Sequence, residues 1–168
     1  MARRYDRPRV LDIGCGSARI AEPLLEDGAG EYVGVDFSAP MLALAQDRLA
    51  RFGERATLIE ADFLDVDLAG HFDLVLALGV FDYVADPEPM VRRIAALSTG
   101  SVVATFPRWS WIKGPVRHLR YEVVLDCPIY DYTIRELRFL FGAAGFERMR
   151  VVKRGAGFLV EARDGPSK

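Results

Sequence analysis

The sequence predicts a doubly wound α/β fold with a mostly parallel sheet of seven strands. Short apolar runs alternate with segments in which apolar residues recur at helical spacing, a pattern typical of repeated strand–helix units. The last two apolar runs, 146–152 and 158–162, have few residues between them. These two strands can therefore pair only as an antiparallel hairpin at the end of the chain.

Composition favours one domain over 1–168. Hydrophobic residues make up 51% of the chain and charged residues 27%, which is ordinary for a globular protein. The formal net charge of −2 argues against nucleic acid as a partner, and no apolar run is long enough to span a membrane. Cys15 and Cys127 are isolated, so we expect a reduced, cytoplasmic protein with no metal site.

The first predicted strand–turn–helix unit contains a glycine-rich turn. Strand 10–13 leads into Gly14 and Gly16, and helical spacing begins at Ile20. Glycines let a backbone approach a ligand closely, and a helix N-terminus presents free N–H groups. Pro23 within this helix is expected to remove a backbone hydrogen bond and to bend it.

Three more strands are predicted at 32–36, 56–60 and 72–78. Ser38 is expected to cap the helix that follows the first of them. The predicted buried stripe of that helix contains Leu42, Ala45, Leu49 and Phe52. The run 72–78 is almost continuously apolar, which is typical of a central parallel strand covered on both faces.

The second half of the chain continues the alternation of predicted strands and helices. Asp86 and Pro87 are expected to cap a helix, and a fifth strand is predicted at 101–106. Thr133 and Glu136 form a capping-box pattern at the start of the last helix. The predicted apolar stripes of these two helices contain Met90, Val91, Ile94 and Leu97, and then Leu137, Leu140, Phe141 and Ala144.

Polar and glycine residues gather where the predicted strands end. They comprise the glycine-rich turn, Asp36, Asp62, and segments 79–82 and 107–111. Ligands bind at the carboxyl ends of the strands in doubly wound sheets. The sequence therefore predicts one ligand site built from five strand ends.

This edge has residues suited to a nucleoside. The two oxygens of Asp36 can accept from both ribose hydroxyls, the alternative being a solvated strand-end acid. Asp62 can accept from an exocyclic amine, the alternative being an ordinary turn acid. Phe37, Met41 and Phe63 are candidates for sandwiching an adenine ring, although Met41 also fits a core position.

Two common nucleotide motifs are absent from the sequence. Arg19 stands where a dinucleotide fingerprint has its third glycine, which argues against a nicotinamide-dependent oxidoreductase. The chain also lacks the glycine- and lysine-containing loop that binds nucleoside triphosphates.

Four segments, taken in order, resemble class I S-adenosylmethionine-dependent methyltransferases. They are Leu-Asp-Ile-Gly-Cys-Gly at 11–16, Gly-Val-Asp-Phe-Ser at 34–38, Glu-Ala-Asp-Phe at 60–63 and Phe-Asp-Leu-Val at 72–75. The resemblance covers nearly the whole chain and includes the terminal hairpin. It implies a Rossmann-like fold, a single methyltransferase domain and S-adenosylmethionine as the cofactor. The cover helices that usually precede the first strand are expected to be missing or minimal.

The resemblance also implies the roles of individual residues. Asp36 would bind the ribose, Asp62 and the Phe63 backbone would bind the edge of the adenine, and the Gly79 region would lie near the amino end of the methionine. Ala18 stands where the family's loop has its third small residue. Its methyl group is expected to reduce the free space there by the volume of one methyl. The implied cofactor-binding residues are Asp12, Gly14, Cys15, Gly16, Asp36, Phe37, Met41, Asp62, Phe63, Leu78 and Gly79.

Candidate catalytic residues follow the fourth strand. Asp82 and Tyr83 stand where related small-molecule enzymes often have a Glu-His pair, and Asp82 is then the best-placed base. His118 is a further candidate, although a lone histidine in a basic stretch is more often a surface residue. His71 precedes a strand and is expected to be inert.

The segment 107–132 is predicted to be an acceptor lid. Its aromatic and cationic residues are Trp109, Trp111, Lys113, Arg117, Tyr121, Tyr130 and Tyr132. They suit a small acceptor that is aromatic or apolar and carries an anionic group, the alternatives being packing on the sheet or a homodimer contact. We expect methyl transfer to an oxygen or nitrogen of a small molecule. The competing hypothesis is a catalytically inactive binding module with the same fold.

Overall fold

The structure is a computed structural model that describes residues 6–108, 130–155 and 157–163. The strands are β1 (Arg9–Ile13), β2 (Glu31–Asp36), β3 (Ala56–Glu60), β4 (Phe72–Ala77), β5 (Ser98–Pro107), β6 (Arg148–Arg154) and β7 (Gly157–Arg163). The helices are α1 (Ala21–Glu26), α2 (Ala39–Leu49), a 3-10 helix (Ala50–Arg55), α3 (Glu88–Leu97) and α4 (Ile134–Ala143). No helix within these ranges has the length and apolarity needed to cross a bilayer.

The strands form one seven-stranded sheet in the order β3-β2-β1-β4-β5-β7-β6. The first five strands are parallel to one another, whereas β7 is antiparallel to both β5 and β6. This arrangement confirms the predicted doubly wound sheet with its terminal antiparallel hairpin. The chain reverses its direction across the sheet between β1 and β4, so the topological switch point lies between these two strands.

Two apolar layers enclose the sheet. On one face, α1 and α2 pack on the β2–β3 side and bury residues such as Leu25, Ala45 and Leu49. On the other face, α3 and α4 cover a larger core in which the Phe81 and Phe106 rings stack with centroids 4.2 Å apart. The run in β4 contributes to both layers, as its continuous apolar sequence predicts.

Helix starts show which capping predictions hold. Thr133 and Glu136 form the expected reciprocal capping box at α4. Ser38 has the extended backbone of an N-cap residue at α2, but its side chain makes no capping hydrogen bond. Pro23 lies in the first turn of α1, where backbone N–H groups have no partner within the helix, so the expected loss of a hydrogen bond was wrong.

The fifth strand is longer than predicted. It begins at Ser98 because a register shift between Phe72 and Leu74 lets the strand pair with β4 across an irregularity. Conversely, the connection between β3 and β4, residues 61–71, contains no helix. This connection therefore leaves the carboxyl edge of the sheet as an irregular segment, whose position depends on side-chain contacts.

Candidate functional site

The glycine-rich turn lies at the switch point. Gly14 and Gly16 have φ angles of 64° and 52°, in the left-handed region that favours glycine. A Cβ atom at Gly14 would lie 2.4 Å from Val80 Cγ2, whereas one at Gly16 would meet no atom within 4 Å. Gly14 therefore permits close packing against the segment after β4, and Gly16 faces open space that a ligand can fill.

Ala18, in the same turn, also has a positive φ angle, 52°, and is fully buried. The sequence predicted that alanine here costs only the clearance of one methyl group. The observed backbone adds conformational strain, because an L-residue with a Cβ atom is strained in the left-handed region.

Asp12 is buried beneath the turn, with 3% of its surface exposed. The Tyr32 hydroxyl donates a hydrogen bond to Asp12 Oδ2 at 2.7 Å. Burial raises the pKa of Asp12 to about 7, although the hydrogen bond opposes this shift. Burial and the neighbouring carboxylate raise the pKa of Tyr32 as well, so Tyr32 remains a donor.

Cys15 is half-buried and packs against β2. Gly34 makes room for it, since a Cβ atom at Gly34 would lie 2.9 Å from Cys15 Sγ. Burial, with the charges of Asp12 and Asp36, raises the pKa of Cys15 to about 12. The thiol is therefore protonated near neutral pH, and its chemistry there is that of a packing residue.

Asp36 is held in place at the end of β2 by two backbone donors. Its Oδ2 accepts from the Gly16 N–H at 2.7 Å, and its Oδ1 accepts from the Ser38 N–H at 2.9 Å. Each carboxylate oxygen can accept a second hydrogen bond. The group is partly exposed, so a diol at this edge can reach both oxygens.

Two apolar side chains beside Asp36 face solvent. Phe37 is 83% exposed and Met41 is 45% exposed, so Met41 is not a core residue. Phe63 differs, because its side chain is only 4% exposed and packs in the core. The expectation that its ring takes part in a sandwich was wrong, and only the Phe63 backbone is left to contact a ligand at the edge.

Asp62 organises the turn after β3. Its Oδ1 accepts from the Leu64 N–H at 2.8 Å, and its backbone carbonyl accepts from Asp65 and Val66. The structure thus records the turn role that was the alternative for this residue. The exposed carboxylate retains acceptor capacity for an amine at the same edge.

Residues after β4 complete the edge. Gly79 has a φ angle of 81°, and its N–H donates to Thr105 Oγ1 at 2.8 Å. Leu78 is half-buried beside it. The hydrogen bond fixes the 78–79 backbone against β5 at the carboxyl edge of the sheet.

The predicted catalytic residues have different surroundings. Asp82 is partly buried, and its backbone carbonyl accepts from the Tyr130 N–H at 3.2 Å. Tyr83 is 53% exposed. His118 lies outside the described residues, as do the lid residues Trp109, Trp111, Lys113, Arg117 and Tyr121.

Tyr132, one of the predicted lid residues, packs on the sheet. Its ring meets Phe106 edge-on at 5.1 Å between centroids, and its hydroxyl donates to the Val84 carbonyl at 3.1 Å. Burial, reinforced by nearby Tyr130 and acidic groups, raises the pKa of Tyr132 to about 12. This side chain therefore packs on the sheet.

Three contributions to this edge were not predicted from the sequence. They are the Ser38 N–H on Asp36, the Thr105 hydroxyl on Gly79, and Val80 beneath Gly14. The position of Thr105 near the end of a predicted strand could have indicated that it contributes to this edge. The other two contacts depend on loop geometry, which residue types alone do not reveal.

The edge has features that suit the binding of a nucleoside. It combines an open glycine turn, a fixed carboxylate able to accept from two hydroxyls, and exposed Phe37 and Met41. No group of three or more potential metal ligands occurs among the described residues.

Comparisons with known proteins agree with this geometry. A family model described as a methyltransferase domain matches residues 10–99, more than half of the chain. A ubiquinone biosynthesis O-methyltransferase from Bradyrhizobium diazoefficiens is 38% identical over 124 residues, covering 70% of this chain and 47% of that protein. The enzyme of the same name from Azorhizobium caulinodans is 40% identical over 86 residues, covering 51% of this chain and 34% of that protein. The chain thus spans less than half the length of either relative.

A solved structure shows the same fold. The S-adenosylmethionine-dependent methyltransferase from Mesorhizobium loti has a TM-score of 0.79 and 22% sequence identity, covering 94% of this chain and 91% of that one. At 22% identity this likeness shows a shared fold. The match to the family model adds similarity in sequence. The chain belongs to the methyltransferase-domain family, within the class I S-adenosylmethionine-dependent methyltransferases.

Proposed function

We propose that the chain binds S-adenosylmethionine and transfers its methyl group to an oxygen or nitrogen of a small molecule. The observation that carries the proposal is the Asp36 carboxylate, which two backbone N–H groups hold at the carboxyl edge of a methyltransferase-family sheet. It lies beside an open glycine turn and exposed apolar side chains, a combination that suits a nucleoside cofactor.

The proposed contacts divide the edge between the parts of the cofactor. Gly14, Gly16 and the 78–79 backbone bind the methionine part, with Asp12 supporting the turn from below. Asp36 binds the ribose hydroxyls. The adenine-binding residues are Phe37, Met41, Asp62 and the backbone of Phe63.

When bound, the cofactor would supply a sulfonium methyl group that the lone pair of an acceptor could take, with the electrons of the carbon–sulfur bond left on sulfur. The chain contributes positioning and partial exclusion of water. A hydroxyl acceptor also has to lose its proton. We assign that proton to the Asp82 carboxylate, with Tyr83 and His118 as further candidates.

The acceptor is proposed to be aromatic or apolar and to carry an anionic group. The curated relatives are named ubiquinone biosynthesis O-methyltransferases, which supports methylation of an oxygen. We propose that 107–132 forms the acceptor lid within a single domain over 1–168. A homodimer through the same segment is the competing proposal for its role.

The function is tested in two steps. The melting temperature is measured with S-adenosylhomocysteine or NADH, and transfer of a tritiated methyl group is then measured over a panel of phenols and amines. We expect stabilisation by S-adenosylhomocysteine alone and a labelled product from at least one acceptor. Stabilisation by NADH instead would favour an oxidoreductase. Cofactor binding without transfer to any acceptor would favour the inactive binding module.

A further inference from the structure

A cavity adjoins the proposed cofactor edge. It has a volume of about 370 Å³ and lies among Asp82, the end of β5 at Thr105 and Pro107, and the β6–β7 hairpin at Arg154 and Leu159. Small-molecule sites usually have volumes of about 300–1,000 Å³. The cavity is therefore large enough to hold a compact acceptor.

The strand pairing explains how Arg154 reaches this cavity. Arg154 pairs with Gly157 across the hairpin, and Gly157 pairs with Pro107 of β5. A Cβ atom at Gly157 would lie 2.6 Å from the Phe106 carbonyl oxygen, so β7 approaches β5 too closely for a side chain there. Gly157 therefore lets the hairpin lie close against the end of β5, which places Arg154 at the same cavity as Pro107.

The cavity shares residues with the proposed methyl-transfer site. Thr105 lines it and also accepts from the Gly79 N–H at 2.8 Å, next to the backbone assigned to the methionine part of the cofactor. Asp82 lines it as well. An acceptor held here would have one end near Asp82 and the rest of the molecule along β5 and the hairpin.

The chemistry of the lining points to the class of molecule. Arg154 is the one cation among the described residues around the cavity, and it forms no ion pair with any of them. Phe158, Leu159 and Pro107 provide apolar surface. A planar guanidinium beside an apolar wall suits a carboxylate carried on a flat or apolar body.

We propose that Arg154 binds an anionic group of the acceptor, a carboxylate on an aromatic ring, and so determines which acceptors are methylated. This proposal rests on the function proposed above, because it places the acceptor beside the cofactor. It assigns an anion-binding residue within the part of the chain that the structure describes, independently of the cations in 109–129.

The test compares aromatic acids with their neutral amides. Two pairs are titrated calorimetrically into protein saturated with S-adenosylhomocysteine: 3,4-dihydroxybenzoate with its amide, and 4-hydroxyphenylacetate with its amide. We expect wild type to bind at least one acid about tenfold more tightly than its amide, the effect of one charge-assisted hydrogen bond. Arg154→Met should remove this preference, and Arg154→Lys should retain part of it.

Arg150→Met is the matched control, because it removes the same charge from the same face of β6 outside the cavity. It should keep the preference for the acid. The proposal is overturned if neither acid binds wild type better than its amide, or if folded Arg154→Met keeps the preference.

Affinity for S-adenosylhomocysteine separates this proposal from the proposed function. Arg154→Met should leave that affinity unchanged. If wild type does not bind S-adenosylhomocysteine, the proposed function fails, and the same acid–amide titrations on the protein alone still decide the role of Arg154.

Discussion

At the scale of single residues, Asp12 couples the stability of the domain to pH. Its carboxyl group is buried under the glycine-rich turn, and burial raises its pKa from 3.8 to about 7. In the unfolded chain the group ionises at the lower pH, so between these values the native state binds the additional proton. Stability from this group is therefore greatest at low pH and falls as the pH rises toward about 7.

Replacement of Asp12 by asparagine should flatten this dependence. Wild type is expected to lose up to about 1.4 kcal/mol of unfolding free energy per pH unit from this group between pH 4 and 7. Asp12→Asn keeps an oxygen acceptor for Tyr32 and has no proton to lose. Urea unfolding from pH 4 to 8 should show a smaller decline for the variant. Parallel curves for the two proteins would contradict the burial argument.

The two glycines of the turn should respond differently to alanine. Gly16→Ala adds backbone strain alone, about 1–2 kcal/mol, because its Cβ atom meets nothing. Gly14→Ala adds the same strain and a collision with Val80, so we expect a loss of about 2–5 kcal/mol. Thermal unfolding measures both losses. Val80→Ala should restore part of the stability of Gly14→Ala, and no recovery in the double variant would show that the collision is not its cause.

At the scale of elements, the β3–β4 connection lacks a helix, and α3 holds it in place. The Arg93 guanidinium donates to the Leu64 carbonyl at 2.7 Å and to the Val66 carbonyl. It also lies over the Phe63 ring, 5.2 Å from its centroid. Arg93 is therefore a positioning residue for the segment that carries Asp62 and the Phe63 backbone.

Loss of Arg93 should weaken binding at the adenine end of the edge. Arg93→Met is expected to lower S-adenosylhomocysteine affinity about tenfold, because the 62–66 segment loses both hydrogen bonds. Arg92→Met on the same helix is the control, since Arg92 pairs with exposed Glu88 instead. The binding of methionine, which lacks an adenine, should be equal in both variants. Equal S-adenosylhomocysteine affinities in folded samples of the two variants would refute the positioning role.

Strands and helices were largely predictable because their signals are local. The alternation of apolar runs predicted all seven strands, and the Thr133–Glu136 pair predicted the start of α4. Predictions failed where a boundary shifted by a few residues. Pro23 was harmless because α1 begins at Ala21, and β5 extended back to Ser98 because an irregular pairing with β4 allowed it.

At the scale of the whole molecule, the site depends on how the sheet orders its strands. Because β1 lies between β2 and β4, the glycine-rich turn meets Asp36 on one side and Val80 on the other. The rule that ligands bind at the carboxyl ends of strands predicted this gathering of residues. It could not predict that Phe63 turns into the core, or that the hairpin brings Arg154 to a cavity beside Asp82. Both depend on packing between distant segments.

Asp36 and the glycine-rich turn together form the proposed cofactor site. Its most direct test is calorimetric titration of S-adenosylhomocysteine into wild type, Asp36→Ala and Asp47→Ala, the last removing an exposed carboxylate of α2. We predict about micromolar binding to wild type and Asp47→Ala, and at least about 30-fold weaker binding to Asp36→Ala, because hydrogen bonds to a carboxylate are lost. No binding by folded wild type, or equal affinity for Asp36→Ala, would contradict the account.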